Sequence, residues 1–245
     1  MANASLKAVI LAAGKGTRMK ELTAEMPKPM LKVAGKPVLE HIVRGLGGAG
    51  ITDLCIITGY HAEAVEEFLG DGSRFGVQIS YARQKVQDGT GKAPELTTNF
   101  VGDSNFVLMY GDILVDPTNY KRMAHAFTVS KAAGLISAIK NQDVTKGAAV
   151  TFDDAFFMMD LVEKPPKGAN LPPWYNAGIY MFSPVVFRYT ARLQKSPRGE
   201  YELPDALRAM IADGHRIKGF ELKGYWIDVR DPDMLRAAER LLRPE

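Results

Sequence analysis

"KAVILAAGKGTRM", residues Lys7–Met19, passes without a break from an apolar run into a glycine-rich turn. Lys7–Ala12 reads as a strand buried on both faces, the pattern of a parallel sheet covered by helices. The turn after it therefore lies at a strand's carboxyl end, where open α/β sheets bind ligands. Gly14 and Gly16 can adopt backbone angles closed to other residues and let peptide N–H groups approach a ligand. Successive amides in such a turn form an anion-binding concavity. Arg18 adds a bidentate phosphate partner, and Lys28, in "PKP", adds a point charge able to reach the same ligand. Two familiar phosphate loops do not fit. The dinucleotide fingerprint needs a glycine where Met19 stands, and the P-loop needs an earlier glycine ahead of Gly14-Lys15-Gly16-Thr17. On the loop alone, phosphate binding and a solvated glycine-rich turn both remain open.

The chain on either side of this turn alternates between two periodicities. Pro37–Ala49 repeats apolar residues at Leu39, Ile42, Val43 and Leu46, with proline at a first helical position. Asp53–Thr58 is a second strand, "AEAVEEFL" a helix, Gln78–Ala82 a third strand and Ala93–Val101 a helix. "NFVLMYGD" closes a fourth strand at Gly111 and Asp112, and Pro117–Lys131 reads as a helix. This alternation predicts an α/β fold with a doubly wound, mostly parallel sheet. In the second half, 135–139, 148–152, 160–163 and 176–182 read as strands, with a late strand in "RIKGFEL". Helices are expected over 184–193, 201–212 and 232–242. No linker, repeat or low-complexity segment divides the chain, so one domain over 1–245 is expected, with halves of about 1–130 and 131–245.

Composition narrows the classes of function. Of the 245 residues 46% are hydrophobic and 24% charged, ordinary for a globular domain. A net charge of +3 without a block of basic residues argues against nucleic acid and suits a small anionic ligand. No apolar run is long enough for a membrane span and no signal-peptide pattern opens the chain, which points to the cytoplasm. The single cysteine, Cys55, lies in an apolar strand and reads as core. His41, His61, His125 and His215 lack metal spacing. The run Phe152, Phe156, Phe157, Met158 and Met159 reads as core, though it leaves room for a contact between copies of the chain.

Extended to Leu31, the opening string becomes "LAAGKGTRM…PKPML", which closely resembles the signature of the sugar-1-phosphate nucleotidyltransferases. That family includes glucose-1-phosphate thymidylyltransferase and the UTP-dependent sugar pyrophosphorylases. "YGD", "EKP", "NAG" and "WID" follow in the family's order, so the resemblance spans residues 14–228. It implies a Rossmann-like fold of the nucleotide-diphospho-sugar transferase type with a sugar-binding insertion. The implied substrates are a nucleoside triphosphate and a sugar 1-phosphate, with Mg²⁺ as cofactor. Leu11, Ala12, Ala13, Gly14, Gly16 and Thr17 would meet the nucleotide, with Gln84, Gly89 and Thr90 on the base side. Arg18 and Lys28 would hold the triphosphate, and Asp112 and Asp228 the metal. Gly111, Glu163, Asn176 and Gly178 would contact the sugar phosphate, with Lys164 on its phosphate.

The chemistry agrees with that residue set. The nucleophile is a phosphate monoester oxygen whose second pKa is about 6, so it is already ionised near neutral pH. No general base is needed, and catalysis reduces to positioning and charge stabilisation. Without the resemblance, Asp112 could cap a turn, and Asp228 could brace one while Asp231 caps the closing helix. Two departures bear on the substrates: Glu21 stands where proline is expected, and Lys92 follows "GTG" in place of a small residue or histidine. A pyrimidine triphosphate, dTTP or UTP, with glucose 1-phosphate is the leading expectation. A cytidylyltransferase acting on phosphocholine, or a silent nucleotide-sugar-binding regulatory subunit, stands as the alternative.

Overall fold

The computed structural model describes residues 6–16, 19, 26–167 and 171–243. In chain order the first half comprises β1 (Lys7–Leu11), β2 (Lys32–Val33), β3 (Lys36–Pro37), α1 (Val38–Gly48), β4 (Asp53–Thr58), α2 (Ala62–Leu69), β5 (Gln78–Arg83), α3 (Thr98–Val101), β6 (Phe106–Tyr110), β7 (Ile113–Val115) and α4 (Thr118–Ser130). The second comprises β8 (Gly134–Ile139), β9 (Ala148–Phe152), β10 (Met158–Glu163), β11 (Tyr175–Phe182), α5 (Phe187–Thr190), α6 (Leu203–Ala212), β12 (Ile217–Glu221), β13 (Trp226–Asp228) and α7 (Pro232–Leu242).

β1 sits inside the main sheet, parallel to β4 on one side and β6 on the other, with Val9 opposite Cys55 and Leu108. Its alternate side chains feed two separate cores. Ala8 and Ile10 join the cluster that holds Leu39, Ile42 and Met123, whereas Val9 joins Phe106, Leu207 and Met210 on the opposite face. A strand covered on both faces has no polar side, which is why this segment reads as a continuous apolar run. The sheet is mixed: β5, β4, β1 and β6 run parallel, then β11 runs antiparallel to β6 and to β8. The order β10-β9-β11-β6-β1-β4-β5, with β8 and β12 branching off β11, joins both halves of the chain in one nine-stranded sheet.

Three expected helices are shorter than their sequence patterns suggest. Ala93–Thr97 is a 3₁₀ turn and only Thr98–Val101 is α-helical. The Thr97 and Thr98 hydroxyls donate to the Pro94 and Glu95 carbonyls at 2.7 and 2.8 Å, acceptors that an α-helix would use for backbone amides. Pro184–Val186 is likewise a 3₁₀ turn, and helix continues only over Phe187–Thr190. α6 begins at Leu203 rather than Tyr201 because the backbone of Tyr201 pairs with the 88–91 loop: its N–H donates to the Asp88 carbonyl and its carbonyl accepts from Gly91, both at 2.8 Å.

The aromatic run also departs from expectation. It forms the turn between β9 and β10, with Phe156 at φ +59°. Phe152, Phe156 and Trp174 cluster at the sheet edge with ring centroids 4.2–5.9 Å apart. Met158 is buried, but Met159 is 60% exposed and is not core. Cys55 is buried within β4 as expected. Asp231 caps α7 by accepting from the Met234 amide at 2.9 Å.

A ribbon of two three-residue strands, too short to leave a sequence pattern, decides the geometry at the sheet's carboxyl edge. β7 and β13 pair antiparallel with Ile113 opposite Asp228. The ribbon is anchored by Asn119, which is fully buried on α4. Its amide donates to the Lys223 and Asp116 carbonyls at 2.7 and 2.9 Å and accepts from the Lys223 N–H at 3.0 Å. Asn119→Ala would strand these backbone groups, at a cost of about 3 kcal/mol. A urea midpoint corresponding to a loss below about 1 kcal/mol would contradict that anchoring role.

Candidate active site

The carboxyl ends of β1, β4, β5 and β6 open into a cleft of about 420 Å³ lined by the opening turn, Lys28, the 84–90 loop, Asp112 and Asp228. A second hollow, lined by Glu163, Lys164, Asn176 and Gly178, adjoins it. Thr90, Tyr110, Ile113, Glu200 and Asp228 border both, so the two form one continuous groove.

Within the opening turn, the Ala12 N–H donates to the Ile57 carbonyl at 2.8 Å and Ala13 accepts from the Tyr60 N–H at 3.2 Å. These bonds hold the backbone against β4 while Gly14 and Gly16 face the cleft. Gly16 takes φ +62°, as a turn of tightly spaced amides requires. Thr17 and Arg18, also expected at this site, lie outside the described residues.

Lys28 occupies the centre of the site. Its ammonium donates to the Asp112 carboxylate and stands 3.9 Å from Oδ1 of Asp228. The three side chains are only 12%, 28% and 21% exposed, so the charges interact with little screening. Arg230 approaches the other oxygen of Asp228 at 3.8 Å. Asp112 is fixed from both sides: Gly111 donates to the Leu11 carbonyl at 2.8 Å, and the Asp112 carbonyl accepts from the Val229 N–H at 2.9 Å. The second bond continues the β7–β13 ribbon and brings the two carboxylates together.

Among the described residues no three His, Cys, Asp or Glu side chains gather as a closed metal cage. Two carboxylates at the mouth of a phosphate-sized cleft nevertheless fit Mg²⁺, which takes one or two protein carboxylates and fills its remaining positions with phosphate oxygens and water. Such an ion would claim carboxylate oxygens that Lys28 engages, so its arrival requires another anion for the ammonium.

On the side where a base is expected, Gln84 continues β5, its N–H donating to the Thr58 carbonyl at 2.8 Å. Its side-chain amide reaches the Gly89 carbonyl at 3.4 Å, tying the loop to the strand. Gly89, at φ +119°, lies against the Tyr201 backbone so closely that any Cβ would collide with it. Lys92 stands over the Tyr201 ring with its ammonium 3.4 Å from the Ala191 carbonyl.

At the second hollow, where the sugar phosphate is expected, β11 carries an irregularity between Asn176 and Tyr180. Gly178 sits there at φ +75°, where a Cβ would clash with Ile113 and lie 2.6 Å from the Tyr110 ring. The Trp226 indole donates to the Ala177 carbonyl at 2.9 Å, holding the bulge against β13. Asn176 is partly committed within the bulge. The amide nitrogen donates to the Tyr180 hydroxyl at 2.6 Å and the oxygen accepts from the Gly178 N–H at 3.2 Å. One N–H and one lone pair remain for a ligand. Lys164, exposed at φ +44°, follows Glu163 at the end of β10.

Several groups in the groove escape a motif-by-motif reading. Arg198 lies 2.6 Å from Glu202 and 3.7 Å from Glu163, adding a cation beside Lys164. Glu200 borders both hollows, and Gln87 lines the base side. The charge-dense "RGEYE" ahead of a proline-started helix is the sequence signal for the first two. The groove thus gathers cations and amides for polyanions on both sides of a carboxylate pair.

Comparison with known proteins agrees with this arrangement. The nucleotidyl transferase family matches residues 7–244. A low-salt glycan biosynthesis nucleotidyltransferase of Haloferax volcanii is 33% identical over 97% of this chain and 66% of its own length. A UTP–glucose-1-phosphate uridylyltransferase of the same organism is 33% identical over 98% of both chains. A Bacillus anthracis structure assigned as a glucose-1-phosphate thymidylyltransferase, solved with sucrose, aligns with a TM-score of 0.88 at 30% identity, over 98% of this chain and 96% of that one. The chain spans 54–66% of the length of several curated relatives it matches. Because the match runs from β1 through both carboxylates into α7, this chain belongs to the nucleotidyl transferase family.

Proposed function

We propose that the protein transfers a nucleotidyl group from dTTP or UTP to glucose 1-phosphate, forming a nucleoside-diphosphate sugar and releasing pyrophosphate. The observation that carries this reading is the meeting of Asp112, Asp228 and Lys28 where the nucleotide and sugar hollows join. The Haloferax uridylyltransferase, similar over nearly the whole of both chains, supports the choice of substrates.

In this mechanism the amides of residues 13–16 cradle the triphosphate, and its charge draws Lys28 from the carboxylates onto phosphate oxygens. Asp112 and Asp228 would hold Mg²⁺, which when bound neutralises charge on the triphosphate and on the departing pyrophosphate. Lys164 and Arg198 direct the sugar phosphate so that its oxygen attacks the α-phosphorus in line with the leaving group. No side chain takes a proton, because the attacking oxygen is already ionised.

Burial pushes the Glu163 carboxyl above the ordinary glutamate range; the Arg198 guanidinium opposes the shift and Glu202 reinforces it. A carboxyl raised in this way holds its proton more tightly in the folded protein than in the unfolded chain. Its contribution to stability is therefore full below the unfolded value, about 4.3, and is lost as pH rises through the folded value.

Pyrophosphate release in the presence of Mg²⁺, measured for ATP, GTP, CTP, UTP and dTTP against a panel of sugar 1-phosphates and phosphocholine, tests the reading directly. Release is expected only with a pyrimidine triphosphate and a sugar 1-phosphate together. Release confined to CTP with phosphocholine, or nucleotide-sugar binding without turnover, would refute it. Asp112→Asn should lower turnover by at least about 100-fold with an unchanged circular dichroism spectrum, and near-native turnover would remove Asp112 from the site. Glu163→Gln should melt above the native protein at about pH 7, with the gap closing towards about pH 4; a gap that widens on acidification would contradict the raised carboxyl.

A further inference from the structure

The chain leaves β13 through Asp228, Val229 and Arg230. Val229 is wholly buried in the core, and the side chains on either side of it emerge together on the cleft face. The Arg230 N–H donates to the Asp228 carbonyl at 2.8 Å, and Asp231 then caps α7 through Oδ1. The backbone that carries the Arg230 guanidinium is therefore fixed on both sides.

The Arg230 side chain is 19% exposed, the most buried of the ion-paired arginines among the described residues. Arg44, Arg83, Arg198 and Arg208 each meet a carboxylate at 2.6–3.0 Å. Arg230 instead stands 3.8 Å from Oδ2 of Asp228 and 3.8 Å from Oδ2 of Asp231, beyond hydrogen-bond length in both cases. The least solvated of these guanidinium groups is thus the one held off its carboxylates. Its planar fork, suited to two parallel bonds with an oxyanion, is not spent on either of them.

The two hollows divide the cations between them. Among the described residues, Lys28 and Arg230 line the first, whereas Lys146, Lys164 and Arg198 line the second. Lys28 and Arg230 flank Asp228, one towards each carboxylate oxygen. The first hollow also carries Asp112 and Glu200, so its lining holds three carboxylates against these two cations. A polyanion entering such a hollow is repelled unless the cations turn to it. Lys28 can offer only a point charge, and Arg230 supplies the bidentate donor on the opposite side of Asp228.

We infer that Arg230 is a catalytic residue that binds the triphosphate, its guanidinium taking phosphate oxygens from the side of Asp228 opposite Lys28. This inference rests on the nucleotidyl-transfer reading of the groove for the identity of the anion. It separates Arg230 from the cations of the second hollow, which meet the sugar phosphate under that reading.

The experiment is calorimetric titration, with Mg²⁺ present, of α,β-methylene dTTP and α,β-methylene UTP into the intact protein. These analogues cannot be cleaved at the reacting bond. Glucose 1-phosphate is then titrated into protein already saturated with the analogue that binds. Arg230→Gln should weaken the analogue by about tenfold or more and leave the affinity for glucose 1-phosphate within about twofold. Arg230→Lys should recover only part of the loss, because an ammonium restores the charge without the fork. If Arg230→Gln folds poorly by circular dichroism, Arg230→Met keeps the apolar stem and removes the same charge.

Native affinity for the analogue in a folded Arg230→Gln or Arg230→Met protein would overturn the inference. Equal losses for the analogue and for glucose 1-phosphate would also overturn it, since a brace that only shapes the groove affects both ligands. Either result, with native turnover of a pyrimidine triphosphate and a sugar 1-phosphate, would leave the proposed function standing. Failure of the native protein to bind either analogue would overturn both.

Discussion

Two carboxylates, far apart in sequence, are held around a single ammonium, and much of the groove depends on that arrangement. Asp112 and Asp228 would repel one another across a poorly solvated cleft; Lys28 offsets the repulsion and keeps both oriented inward. The same lysine sets what can enter. A cation alone would compete with a covalently tethered one, whereas under the proposed function a triphosphate would bring the anionic oxygens that relieve the lysine of its role. Charge balance at the centre thus favours ligands that arrive as a neutralised set.

The scaffold behind this centre separates packing from chemistry. Alternate residues of β1 and β6 enter two independent cores, so the strand ends are braced from both faces before any polar group is placed. The polar elements then hang on short, specific ties: the β7–β13 ribbon, the Asn119 anchor, the Tyr201 pairing with the 88–91 loop and the Trp226 bond to Ala177. Each tie is local, yet each joins segments distant in sequence.

That division explains what could be read from the chain. β1, β4 and β6 are continuous apolar runs and α1 and α7 are strongly periodic, because burial on a sheet or a helix face leaves a regular pattern. The glycines of the opening turn and the order of short motifs were equally visible. The ribbon of β7 and β13 was not, since three residues carry no period. Nor was the truncation of α6, caused by a backbone pairing at Tyr201 that depends on Gly89, far away in sequence. Asn176 was recognised by type, but its commitment to Tyr180 and Gly178 is a property of the bulge rather than of the motif. Arg198 and Tyr110 stood in plain view within "RGEYE" and "YGD", and only their neighbours in space give them significance.

The pairing of β7 with β13 also bears on how the protein comes into being. β7 spans Ile113–Val115, and its partner β13 comes more than a hundred residues later, just ahead of α7. On the ribosome, β7 and Asp112 emerge well before Asp228, an interval of several seconds at ordinary rates of synthesis. The parallel body of the sheet can assemble in that time, with Lys28 already able to pair with Asp112. The nascent chain therefore passes through a stage in which the framework around the opening turn exists while the second carboxylate does not, and the carboxylate pair is completed only when β13 has been made.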